Sequence, residues 1–165
     1  MQEPMPALLI DASLGTLASA VRRRMKHLIM ARMVPYDLTI HQLWAILIIH
    51  QKGPTSLHPL AEQIWADDPT TSRVVKSLVH RGILHTQPDP RHGRRILINL
   101  TDKAKPLAEE LDGLTQEIRA AVVSGISAQD QELMRGGLHA MIANLDSLLA
   151  ACPSEDSGSD TAAAR

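Results

Sequence analysis

Residues 57–101 read LHPLAEQIWADDPTTSRVVKSLVHRGILHTQPDPRHGRRILINLT. A short helix is predicted from about Leu57 to Trp65. Asp67-Asp68-Pro69 then offers a carboxylate cap and a proline in a first turn, where its missing N–H costs nothing. The helix so started runs through Val74, Val75 and Leu78 to Arg81, and Gly82 ends it with a left-handed cap. Two apolar stretches follow, Ile83–Thr86 and Ile96–Leu100. Between them lies the polar, turn-rich Pro88-Asp89-Pro90-Arg91-His92-Gly93-Arg94, which predicts a β-hairpin with a basic tip. Helix, helix, glycine, hairpin is the order of a winged helix-turn-helix.

The flanks are helical. Leu14, Leu17, Ala18, Val21, Met25, Leu28 and Ile29 recur at three- and four-residue spacing, an amphipathic stripe that Pro35 closes. Thr39 caps a nearly all-apolar helix through about His50, broken at Lys52-Gly53-Pro54. A helix beginning at Thr101, with Asp102 in its first turn, continues to about Ser124. Ser127 to Asp130 resembles a capping box with Asp in place of Glu or Gln. It opens a last helix carrying Leu133, Met134, Leu138, Met141, Ile142, Leu145 and Leu148. The fold class expected is mainly α (α+β). A winged helix-turn-helix region, 38–101, joins a helical dimerisation region, 11–37 and 102–150. Residues 1–10 read as an extended arm and 151–165 as a disordered tail.

Composition agrees with a helical core. The 165 residues are 44% hydrophobic but only 2% aromatic, with no Phe, so Leu, Ile, Val, Met and Ala must fill the interior. No apolar run is long enough to cross a membrane, and the N-terminus lacks a signal-peptide pattern. A single cysteine, Cys152, offers no internal disulfide and fits a reducing cytoplasm.

The formal net charge is −1, but it is unevenly spread. From Asp68 to Lys105 there are eight basic and three acidic residues, a balance of +5 that leaves −6 for the remainder. A concentrated basic segment attracts phosphate whatever the molecule's total charge. Thr70, Thr71, Ser72 and Arg73 stand near the start of the second helix, where small and polar groups reach base edges, and Lys76 follows one turn later. Arg91 and Arg94 at the hairpin tip suit a flanking minor groove, and Arg95 joins them as an expected DNA contact. Double-stranded DNA is therefore the expected partner.

The ordered set of residues resembles the MarR family of bacterial regulators. It runs over Leu38-Thr39, Gln42, Leu60-Ala61-Glu62, Thr70 to Arg73, Leu78, Arg81-Gly82-Ile83-Leu84, Asp89-Pro90-Arg91, Gly93-Arg94 and Leu100-Thr101. The chain departs from the family pattern in three places. His92 replaces an Asp of the wing, Trp65 stands where glycine is common, and Thr86 where arginine often lies. The resemblance implies a homodimer whose first, penultimate and last helices intertwine. It also implies a repressor on a pseudo-palindromic operator with half-sites roughly one helical turn, ~10 bp, apart.

A small-molecule effector is the family's commoner mode. The resemblance places it where the first two helices and the penultimate helix meet the winged lobe. Arg24 and His27 on the first and Trp44 and His50 on the second are the candidate contacts. A cation beside an apolar wall suits an aromatic carboxylate of hydroxybenzoate or hydroxynicotinate type.

Alternatives are a metal- or oxidant-sensing regulator of the same fold, or a helical interaction module without DNA affinity. Eight histidines show no ligand spacing with Cys or acids, so neither a metal site nor any cofactor is expected. The one cysteine, Cys152, stands beside the expected tail and not near the start of the first helix, where oxidant-sensing relatives usually carry theirs, so oxidant sensing is not expected. No nucleophile elbow, P-loop, dinucleotide loop or metalloprotease helix occurs, so no enzyme activity is expected.

Overall fold

The computed structural model describes residues 12–152. They form two compact units, one up to Ala120 and one from Ala121 onward. The first carries helices α1 (Leu14–Met33), α2 (Ile40–Lys52), α3 (Leu57–Ile64) and α4 (Asp68–His80), the hairpin β1 (Leu84–Pro88) and β2 (Ile96–Leu100), and nearly all of α5 (Lys105–Val122). The second carries α6 (Ala128–Ala151). The expected arm, and the expected tail beyond Cys152, lie outside the described residues.

The largely apolar α2 is the centre of the lobe. It buries Leu43, Ala45, Ile46, Leu47 and Ile49 and packs against α1, α3, α4 and β2. Thr39 caps it as expected, but through a reciprocal pair. Thr39 Oγ1 accepts the Gln42 N–H at 3.3 Å, and Gln42 Oε1 accepts the Thr39 N–H at 2.8 Å. The other end of the same amide, Nε2, donates to Ser77 Oγ of α4 at 3.0 Å, so a glutamine only 8% exposed is satisfied at both ends. Ala108, Leu111, Thr115 and Ile118, at 3, 4 and 3 spacing, bury one face of α5 in the first unit.

Only Ile29 and Met33 of α1 are buried, while Leu14, Val21 and Leu28 are exposed. A 3₁₀ turn at Val34–Tyr36, with Pro35 in its first positions, ends α1. Asp37 then turns left-handed at φ 50°. The Arg81 guanidinium holds this turn, donating to the carbonyls of Asp37 at 2.6 Å and Tyr36 at 3.1 Å.

Gly82, at φ 69°, occupies the left-handed position that stops α4. The hairpin pairs Leu84 with Leu100 through to Pro88 with Ile96, so β1 begins one residue later than the sequence suggests and ends two later. Thr55 bridges the other edge of β2, exchanging both hydrogen bonds with Ile98 at 3.2 and 2.7 Å. A 3₁₀ turn, Asp102–Ala104, precedes α5, and Lys105 pairs with Asp102 at 2.8 Å.

At α6 the box is half formed. Ser127 Oγ accepts the Asp130 N–H at 3.1 Å, but the Asp130 carboxylate takes the Ser127 hydroxyl at 2.6 Å. Asp is one methylene shorter than the Glu that would reach back to the backbone N–H. No residue of α6 is buried, and Leu133, Met134, Leu138, Ile142, Leu145, Leu148 and Leu149 are all exposed.

Candidate nucleic-acid interface

Asp67 builds the start of α4. Its Oδ1 accepts the Thr70 N–H at 2.6 Å and its carbonyl the Thr71 N–H at 2.9 Å. Hydrogen bonds from Thr70, side chain first and then backbone, hold the Asp67 carboxyl below the usual carboxylate range, and the charge of Arg73 adds to them.

The heptad-like rotation of α4 sorts its residues by face. Thr71, Val74, Val75 and Leu78 are buried. Thr71 therefore does not belong to a DNA-reading surface, although the sequence places it there. It is fully buried, and its hydroxyl donates back to the Asp67 carbonyl at 2.9 Å. The outward strip is Pro69, Arg73, Lys76 and His80, at 4, 3 and 4 spacing and all exposed. His80, which sequence reasoning left out, shares this exposed face; its four-residue spacing from Lys76 is the signal that could have placed it there. Thr70 and Ser72 are half-buried at the strip's two margins, and Arg73 Nη2 donates to Thr70 Oγ1 at 3.0 Å.

The wing loop is organised by Asp89, which is only 8% exposed. Its carboxylate accepts the Arg91 N–H at 2.8 Å, its N–H donates to the Arg95 carbonyl at 2.8 Å, and its carbonyl accepts the His92 N–H at 3.2 Å. A carboxylate turned inward onto the backbone leaves Arg91, His92, Arg94 and Arg95 outward and exposed. Among the described residues none of Arg73, Lys76, Arg91, Arg94 and Arg95 takes part in an ion pair. Two cations that swell the sequence count are committed elsewhere, Arg81 to the carbonyls after α1 and Lys105 to Asp102.

The turn into α4 has a second unusual feature. Trp65 ends α3 in the left-handed conformation, φ 57° and ψ 45°, with its indole 90% exposed. The adjacent carboxylates are engaged: His58 lies 3.3 Å from Asp68 and 3.7 Å from Glu62.

The four candidate effector contacts divide. Arg24 and His27 are exposed and three residues apart, hence neighbours on one face of α1. Trp44 and His50 are half-buried, but six residues of α2 separate them by roughly 120° of rotation, so they occupy different faces. Tyr36, at the junction of α1 and α2, reaches α5 instead, donating to Glu110 Oε1 at 2.6 Å. That hydrogen bond to the carboxylate raises the phenol's pKa above its ordinary value.

Among the described residues no three His, Cys, Asp or Glu side chains gather where they could hold a metal ion. No helix among them is long and apolar enough to cross a membrane.

Residues 38–96 match the MarR family. About four fifths of the chain is similar to solved regulators. A probable transcriptional regulator from Pseudomonas aeruginosa is 26% identical with a TM-score of 0.64, over 80% of this chain and 98% of that one. Staphylococcus aureus MepR, solved in complex with DNA, is 22% identical with a TM-score of 0.71, over 81% and 99%. Bordetella bronchiseptica BpsR, whose DNA binding is regulated by 6-hydroxynicotinic acid, is 21% identical with a TM-score of 0.68, over 80% and 94%.

Proposed function

We propose that this chain, whose residues 38–96 are a MarR-family winged-helix region, is a homodimeric, sequence-specific DNA-binding repressor released by a small aromatic acid. The observation that carries the DNA-binding reading is the unpaired cation set. Arg73 and Lys76 lie on the outer strip of α4, and Arg91, Arg94 and Arg95 on the wing, all exposed. Such cations displace counterions from a duplex, and their placement on a helix and an adjacent hairpin suits a major groove and its flank.

The dimer reading rests on α6. Met134, Leu138, Met141, Leu145 and Leu148 recur at 4, 3, 4 and 3 spacing, a seam for another helix, and none of them is buried within the chain. A second copy supplies an identical seam, and a two-fold axis makes the patch self-complementary. The effector reading draws on Arg24 and His27, a cationic pair on α1, and on the hydroxynicotinic acid that regulates BpsR.

The test is fluorescence anisotropy with the fragment upstream of the protein's own gene, then with a genomic selection, at two salt concentrations. Tight binding that falls steeply with salt supports the regulator. Failure to bind any duplex overturns it and favours a helical interaction module built on α6.

A further inference from the structure

Trp65 presents a problem of energetics. It adopts the left-handed conformation, which for a residue with a Cβ costs roughly 1–2 kcal/mol and which glycine adopts freely. Its ring returns nothing to the lobe, because 90% of the residue is exposed. It is also one of only three aromatic residues in the chain, with Tyr36 and Trp44, so bulky rings are not scattered over this surface by composition. A strained backbone bearing an unburied indole is stabilised by neither local propensity nor packing, and such positions concentrate where a ligand is met.

The chain path says which ligand. Trp65 is two residues ahead of Asp67, the cap of α4, and its N–H is tied to the carbonyls of Ala61 and Glu62, so the indole is mounted on the end of α3 beside the start of α4. Pro69 and Arg73 begin the outward strip within the next two turns. Trp65 thus precedes Pro69, the first residue of that strip, by four positions. The nearby carboxylates are engaged in hydrogen bonds, Asp67 as the cap of α4 and Asp68 with His58, and Glu62 lies 3.7 Å from the same imidazole. An indole offers a flat apolar face and one N–H donor, which match a deoxyribose and the phosphate oxygen next to it.

We propose that Trp65 contacts the sugar-phosphate backbone of the operator at the edge of the groove entered by α4. This rests on the DNA-binding reading above and adds a residue to it. The contact is uncharged, an apolar ring face on the sugar with a neutral N–H donor to the phosphate oxygen. It therefore raises affinity without neutralising a phosphate and leaves the salt slope unchanged.

Trp65→Gly and Trp65→Asn provide the test, because both residues tolerate the left-handed backbone. Both variants should melt at or above the wild-type temperature yet bind operator about tenfold more weakly, the loss expected of a truncated aromatic anchor. That factor should be the same at every salt concentration, whereas Arg73→Ala should reduce the salt slope by about one. Saturating DNA should also quench or blue-shift the Trp65 component of the indole emission, the part missing from Trp65→Gly, which keeps only Trp44. Operator binding by both variants at wild-type strength, or an indole emission indifferent to DNA, overturns the contact and leaves the regulator reading standing. A wild-type protein that binds no duplex overturns both.

Discussion

Gln42 Nε2 donates to Ser77 Oγ at 3.0 Å across 35 residues of sequence, while the other end of the same amide closes the cap of α2. One side chain thus ties the central helix of the lobe to the helix that carries Arg73 and Lys76. Gln42→Ala should cost about 1–3 kcal/mol, from the lost hydrogen bonds and the donors left behind. Ser77→Ala should cost less, about 0.5–1.5 kcal/mol, since it removes a single bond. Urea unfolding of both singles and the double measures the coupling. Strict additivity would mean that the bond contributes nothing in solution.

The wing and helix cations should act through phosphate. Arg73→Ala and Arg91→Ala should each weaken operator binding and lower the salt slope by about one, with secondary structure and oligomeric state unchanged. Thr71→Val is the contrasting case. Its hydroxyl is buried against the Asp67 carbonyl, so the change should show in melting temperature and not in a lost base contact. Base preference at the operator centre that alters with Thr71→Val would contradict the placement.

The cap of α4 carries a pH dependence. The Asp67 carboxyl titrates below its ordinary value in the folded protein, so its contribution is present above the unfolded value, about 3.9, and is lost as pH falls through the folded one. Asn caps comparably but does not titrate. Wild type should therefore lose stability relative to Asp67→Asn only below about pH 4. Parallel urea curves for the two proteins from pH 7 to pH 3 read this out, and a gap that does not change with pH refutes it.

The α6 seam can be probed by charge. Leu138→Glu together with Leu145→Glu places two carboxylates on the proposed dimer seam, where burying a charge would be costly. Dimer dissociation should strengthen at least about a hundredfold, while residues up to Ala120 keep their fold. Sedimentation equilibrium tests it, and a wild-type chain that is already monomeric removes the dimer.

Hydroxynicotinate or hydroxybenzoate should raise the melting temperature and release operator DNA. Saturation at 100 times the dissociation constant adds about 2.7 kcal/mol of stability. Arg24→Ala with His27→Ala should abolish the shift if the α1 pair holds the carboxylate. No shift and no release at millimolar ligand would eliminate this class of effector.

Much of the architecture is a local property and was readable in advance. Asp67, Pro69 and Gly82 bracket α4, Thr39 starts α2, and the polar run between Pro88 and Arg94 requires a turn. Each acts through backbone geometry or a hydrogen bond within four residues, so the order of elements follows from the amino-acid sequence alone. The basic character of α4 and the wing is likewise a matter of composition.

Which side chains face outward was decided only by tertiary packing. Thr71 and Arg73 are two residues apart and both hydrogen-bonding, yet packing of Val74, Val75 and Leu78 turns Thr71 into the lobe and Arg73 out of it. Arg81 and Lys105 count as cations in the sequence, but carbonyls 44 and 45 residues away in one case and Asp102 in the other take them. The Gln42–Ser77 bond and the Thr55–Ile98 bridge join distant segments that no local signal connects. Propensity and capping depend on near neighbours, whereas burial and long-range hydrogen bonds depend on which faces meet, and this information exists only once the helices have packed.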